Sequence, residues 1–99
     1  PRKITIRLIQ DFVAEKYNVT VDEFLSKKRT KTIAFPRQIA MYLCREVTER
    51  SLPKIGQEFG GRDHTTVIHA HKKITDMVEE DSQFKREIDS LIEELKSKL

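Results

Sequence analysis

The sequence predicts an all-α fold of about six helices built around a helix-turn-helix, and three observations predict it. Apolar residues recur at spacings of three and four along most of the chain, and no alternating stretch of the kind that makes a strand occurs. Capping residues and prolines cut that pattern into helix-length pieces with short connections between them. Gly60-Gly61 interrupts it once, where two residues free to take positive φ can turn the chain sharply from one helix into the next.

Taken in order, Ile6, Ile9, Phe12, Val13 and Tyr17 define an amphipathic helix over residues 4 to 17, with Asn18 as its stop. Thr20 and Glu23 have the spacing of a capping box, which starts a short second helix through Phe24 and Leu25. Lys27, Lys28, Arg29 and Lys31 end it in a cationic loop with no acidic neighbour to pair with, expected to stay exposed until an anion arrives. Pro36 sits where a third, central helix can begin, since proline suits a first turn, and Ile39, Leu43 and Val47 step by four along its buried stripe with Tyr42 beside them. Ser51 caps a fourth helix running to Phe59, with Pro53 in its first turn and Leu52, Ile55 and Phe59 on one face. Asp63 opens the fifth, whose apolar face is Val67, Ala70, His71, Ile74 and Val78. Phe84, Ile88, Leu91, Ile92 and Leu95 outline the sixth.

The turn at Gly60-Gly61 carries the functional information. The carboxylate of Asp63 can accept orphan amide protons as an N-cap, and the first turn after it offers Asp63, His64, Thr65 and Thr66 before Val67 and Ile68 supply apolar side chains that could bury the helix. A polar first turn on the second of two helices is the arrangement by which a helix-turn-helix reads base edges in the DNA major groove. A tight αα-hairpin in any all-helical domain has the same outline, so the turn alone does not decide between them.

Longer stretches do. SLPKIGQEFGGRDHTTVIHA from Ser51 to Ala70, with LSKKRTKT from Leu25 to Thr32 and FPRQIAMYL from Phe35 to Leu43, resembles the C-terminal domain of the bacterial chromosomal replication initiator family, DnaA. The likeness extends over nearly the whole chain and weakens after about Asp76. It implies sequence-specific binding of double-stranded DNA at nine-base-pair origin boxes, and an additional role at promoters. In the major groove it implies that Asp63, His64 and Thr65 read base edges while Leu52 and Pro53 lean on the same groove. Chemistry permits each role: a carboxylate accepts from the cytosine amino group, imidazole meets a purine edge, and the threonine methyl packs on a thymine methyl. A pure capping role for Asp63 stays open beside base reading.

The resemblance gives the basic loop a second groove. Arg29 matches the arginine that enters the minor groove at the A·T-rich end of the box, where a narrow groove deepens the negative potential. Lys27, Lys28 and Lys31 then become phosphate contacts, against the plainer reading of a solvated turn. Lys31 stands where some relatives carry arginine, so bidentate geometry does not transfer to it. Arg37 and Gln38, read as the opening of the central helix, are phosphate contacts on both position and resemblance. Arg45, Lys54, Thr66, His69 and Lys72 are further candidates; Thr66 and His69 lie inside the signature, and Arg45 replaces a lysine of some relatives.

Composition agrees with a polyanion as partner. The 99 residues, one domain's worth, carry a net charge of +3 that hides an asymmetry: residues 1 to 75 hold fifteen Lys and Arg against eight Asp and Glu, and residues 76 to 99 hold four against eight. The acidic tail is expected to pack away from the anion that the rest attracts. With 37% apolar and 35% charged residues and no apolar run near twenty, a membrane span is excluded, and no secretory signal is read at the start, so a cytoplasmic, nucleoid-associated location is expected. The lone Cys44, inside a helical pattern, is a packing residue.

Catalysis finds no support. No GxxxxGK[ST] loop and no acidic cluster of metal-binding spacing occurs, so neither an ATPase nor a nuclease is expected. His64 and His71 are two turns apart and His64 and His69 point about 140° apart on a helix, so the histidines do not form a metal site. His71, on the apolar stripe, is expected to be a hydrogen-bonded core histidine. No cofactor is expected for this domain; by resemblance, ATP belongs to a domain N-terminal to it, and the chain is a C-terminal fragment of a larger initiator. A protein-interaction module is the third class considered: the basic loop argues against that as the sole role, although the resemblance allows regulatory proteins to dock on the DNA-binding face. The isolated domain is expected to be a monomer.

Overall fold

A computed structural model describes residues 3–99, and its secondary structure is helical throughout: α1 (Ile6–Tyr17), α2 (Val21–Leu25), α3 (Lys31–Val47), α4 (Leu52–Glu58), α5 (His64–Glu80) and α6 (Ser82–Lys96). The first helix begins later than its periodicity suggests, because extended Thr5 caps it by accepting from the Leu8 amide at 3.0 Å. Asn18 ends it in the left-handed region at φ 57°, as a stop residue should. The capping box at Thr20 and Glu23 forms in both directions, with bonds of 3.1 and 2.9 Å.

The central helix departs from the sequence reading. It starts at Lys31, five residues before Pro36, with extended Thr30 as its cap and the Ile33 and Ala34 amides on the Thr30 carbonyl at 3.0 and 2.7 Å. Pro36 is therefore interior, and its missing N–H leaves the Thr32 carbonyl without the usual helical donor. Burial outweighs that loss: Ile33, Pro36 and Ala40 lie at spacings of three and four and are all buried, extending the stripe of Ile39 and Leu43 by a full turn.

One core joins the helices. Ile9, Val13, Ile39, Leu43, Ile55, Phe59, Val67 and Ile74 have no exposed surface, and Phe24 packs on Phe59 with ring centroids 6.3 Å apart. The predicted faces of α5 and α6 are inward at Val67, Ala70, Ile74, Phe84, Ile88 and Leu95, while Val78, Leu91 and Ile92 sit at the core's edge. Ile68 is the exception, 41% exposed where burial was expected, since it lies about 100° around the helix from the fully buried Val67. Buried Gln10 on α1 donates at 2.9 Å to the Glu58 carbonyl, one of the orphan acceptors at the end of α4. The acidic last helix pairs with α1 through Lys16 and Glu94 at 2.8 Å. No helix among the described residues is long and apolar enough to cross a membrane.

Candidate nucleic-acid interface

The turn between α4 and α5 has the backbone its glycines suggest, with Gly60 at φ 83° and Gly61 at φ 74°. Amides of the turn close the end of α4: Gly61 donates to the Gln57 carbonyl at 3.1 Å and Arg62 to that of Gly56 at 2.8 Å. Asp63 is then the N-cap, its Oδ1 accepting from the Thr65 amide at 3.1 Å. The same oxygen lies 2.9 Å from His64 Nδ1, and the Asp63 side chain as a whole stays exposed. The Thr65 amide, with the neighbouring His64 adding to it, holds the Asp63 carboxyl below the ordinary carboxylate range. His64, Thr65, Thr66 and His69 are exposed along this helix, and Pro53 is exposed at the start of α4 beside half-buried Leu52.

The basic loop is shorter than its charge run. Residues 26 to 30 link α2 to α3, and Lys31 is already the first residue of α3, so an exposed cation stands on that helix's N-terminal turn where free amides and the helix dipole also favour an anion. Lys27, Lys28 and Arg29 are exposed. Lys28 does have an acidic neighbour, Glu23, at a long 3.9 Å, which is an exposed pair of little energetic weight.

Two arginines fix the path of this loop, and they change the part expected of one of them. Arg37 does not open a helix; it lies nearly two turns inside α3 and is 7% exposed. Its Nε donates to the Phe24 carbonyl at 3.0 Å, and its Nη2 to the carbonyls of Glu23, Ser26 and Lys28 at 3.0, 3.3 and 3.0 Å. Arg62 reaches the same carbonyls from the turn, Nη1 donating to Phe24 at 3.0 Å and to Phe59, and Nη2 to Ser26 at 2.5 Å. A five-residue helix leaves its last four carbonyls without helical donors, and these guanidinium groups supply donors to two of them, Glu23 and Phe24, and to Ser26 and Lys28 just beyond. Burial lowers the pKa of both arginines from its ordinary value, with the nearby Arg62 charge adding to the effect on Arg37.

Between α3 and α5 lies a groove of about 270 Å³ lined by Arg37, Gln38, Arg62, Thr66, His69 and Lys73. Gln38 Oε1 is buried there without a hydrogen-bond partner. Beside it, Lys31, Gln38 and Lys73 share a second hollow, and His69, Lys72 and Lys73 a third. The structure thus brings Lys31, Gln38, Thr66, His69 and Lys72 onto one continuous face. Arg45 and Lys54 stand apart from that groove, at the far end of α3 and on α4: Arg45 Nη1 donates at a long 3.5 Å to the Arg50 carbonyl, and Lys54 pairs with Glu58 at 2.9 Å. Lys72 pairs with Asp76 at 3.0 Å. Both ion pairs are exposed and weak enough to open for a phosphate.

Sequence reasoning passed over Arg62 and Lys73, both at this surface. Arg62 had a detectable signal, since a cation flanking the turn is suited to the free carbonyls of nearby helix ends. His71, expected as a core histidine, is half-buried, stacks on Tyr42 at 5.0 Å between centroids and bonds Glu46 Oε2 through Nε2 at 2.7 Å. Burial raises the Cys44 pKa well above its ordinary value, which leaves the thiol inert.

Known proteins agree with this geometry. The family model described as bacterial DnaA protein helix-turn-helix matches residues 6–74. A solved structure described as a DNA replication initiation factor is 41% identical with a TM-score of 0.85, over 94% of this chain and 28% of that one. The AMPPCP-bound DnaA of Aquifex aeolicus is 38% identical with a TM-score of 0.83, over 95% of this chain and 28% of that one. The chain therefore spans little more than a quarter of the length of these solved relatives.

Proposed function

The chain belongs to the bacterial DnaA helix-turn-helix family, as its C-terminal DNA-binding domain, and from that premise we propose that it binds nine-base-pair boxes in duplex DNA through two grooves at once. The observation that carries the reading is the exposed, capped first turn of α5, where Asp63, His64 and Thr65 present an acceptor, an imidazole and a methyl-bearing hydroxyl beyond a rigid turn. Asp63 caps the helix through Oδ1, and its exposed carboxylate also accepts from a cytosine amino group. Leu52 and Pro53 add apolar contact, and Ile68 on the same helix supplies a further apolar surface.

Arg29 enters the minor groove from the exposed loop, and Lys27, Lys28, Lys31, Gln38, Arg45, Lys54, Thr66, His69 and Lys72 meet phosphates. These contacts set register and orientation and carry no base information. Arg37, with four carbonyls on its guanidinium, supports the loop from beneath. The domain serves to place a longer initiator on its boxes at origins and promoters, acts as a monomer on each box in the cytoplasm, and offers the same face to regulatory proteins. Nucleotide chemistry belongs to parts of the initiator outside this chain.

Binding-site selection on two variants tests the two-groove reading. Arg29→Ala should relax the A·T preference at one end of the box and His64→Ala the base preference at the other, each costing about 1 to 3 kcal/mol of discrimination. Loss at the same end in both variants, or uniform loss on box and scrambled duplex, would refute it.

A further inference from the structure

The residues assigned to the two grooves come from segments more than thirty positions apart, and something must hold them in mutual register. Resting on the two-groove reading, we propose that Arg62 is the positioning residue that does so: it acts through the basic loop, tying Arg29 to the start of the recognition helix. Arg62 immediately precedes the N-cap Asp63, so its backbone moves with the helix that reads the major groove. Its side chain crosses to Phe24 and Ser26, the latter one residue before Lys27 and three before Arg29, and also bonds Phe59 at the end of α4. One planar guanidinium thus joins the end of α2, the end of α4 and the start of α5.

Arg37 grips the same loop carbonyls from α3, with its hydrogen bonds going to residues 23 to 28 rather than to the turn. A second observation places the two segments against each other independently of any side chain: a Cβ at Gly60 would stand 2.3 Å from the Leu25 carbonyl oxygen. The turn is seated directly on the end of α2, and Arg62 locks the seat. Lysine cannot replace it, because a single ammonium on a flexible stem lacks the rigid fork that reaches three carbonyls together.

The test is Arg62→Lys, which keeps the charge, with folding checked by circular dichroism and thermal melting. In binding-site selection the A·T discrimination at the loop's end should fall about tenfold, towards that of Arg29→Ala, while preference at the recognition-helix end persists. Adding Arg62→Lys to Arg29→Ala should produce no further loss of A·T discrimination, since Arg62 acts through the loop. A duplex with one base pair inserted in the middle of the box should be penalised less in Arg62→Lys than in the wild type.

Unchanged A·T preference in Arg62→Lys, with Arg29→Ala losing it, overturns this proposal and leaves the two-groove reading intact. Equal losses at both ends and on scrambled DNA make Arg62 a phosphate contact and overturn it as well. An unaltered Arg29→Ala overturns both. Should Arg62→Lys fail to fold, the wild-type chain still decides: backbone order parameters of residues 27 to 30 should be near the rigid value of about 0.85, and values below about 0.6 would mean that the clamp does not hold the loop.

Discussion

Gly60 and Gly61 have nearly the same φ, yet alanine should affect them very differently. Each has positive φ, and an L side chain in the left-handed region costs about 1 to 2 kcal/mol. At Gly61 nothing lies within 4 Å of the added Cβ, so that backbone cost is the whole effect. At Gly60 the Cβ would meet the Leu25 carbonyl at 2.3 Å for oxygen and 3.1 Å for carbon, and the obstacle is backbone that cannot rotate away. The carbonyls on either side, Phe24 and Ser26, are each held by both Arg37 and Arg62, so moving Leu25 strains charge-assisted bonds worth about 1.5 to 3 kcal/mol apiece. Gly60→Ala should therefore cost about 3 to 5 kcal/mol against about 1 to 2 for Gly61→Ala. In a domain of this size each kcal/mol lowers Tm by roughly 4 to 8 °C, so the two variants should melt well apart. Urea unfolding followed by far-ultraviolet circular dichroism gives the free energies directly. Equal losses within about 0.5 kcal/mol would refute the claim that the turn is seated on α2.

Two further outcomes follow from the surface and the core. Lys54→Ala, which removes an exposed cation paired with Glu58, should weaken box and scrambled duplexes alike and flatten the plot of log K against log salt by about 0.9; selective loss on the box would make Lys54 a base reader. Cys44, fully buried with its pKa raised by burial, should react with a thiol reagent only at the rate of global unfolding, and rapid labelling of the native chain would contradict its packing role.

The apolar stripes and the caps at Thr20, Ser51 and Asp63 were legible because they depend on local periodicity and on side chains that satisfy amides two or three residues away. So was the polar first turn of α5. The start of α3 was not, since Pro36 imitates a first-turn residue and only the burial of Ile33 beneath the fold draws the helix back to Lys31. The part played by Arg37 was hidden for a related reason: its partners are backbone carbonyls, which carry no residue signature, so a buried clamp and a phosphate contact look alike in sequence. Arg62 was missed beside the more conspicuous Gly60-Gly61 and Asp63. Long-range partners of this kind become visible only when the fold brings residue 62 back to residues 24 and 26.

The central claim is specific recognition of a duplex box by two grooves, and fluorescence anisotropy at physiological salt tests it most directly. A labelled duplex carrying the nine-base-pair box should bind at least about a thousandfold more tightly than a scrambled duplex of the same composition. With five phosphate-bound cations among Lys27, Lys28, Lys31, Arg45, Lys54 and Lys72, log K should fall against log salt with a slope of roughly −4 to −5. Equal affinity for the two duplexes, or a slope near zero, would contradict the account.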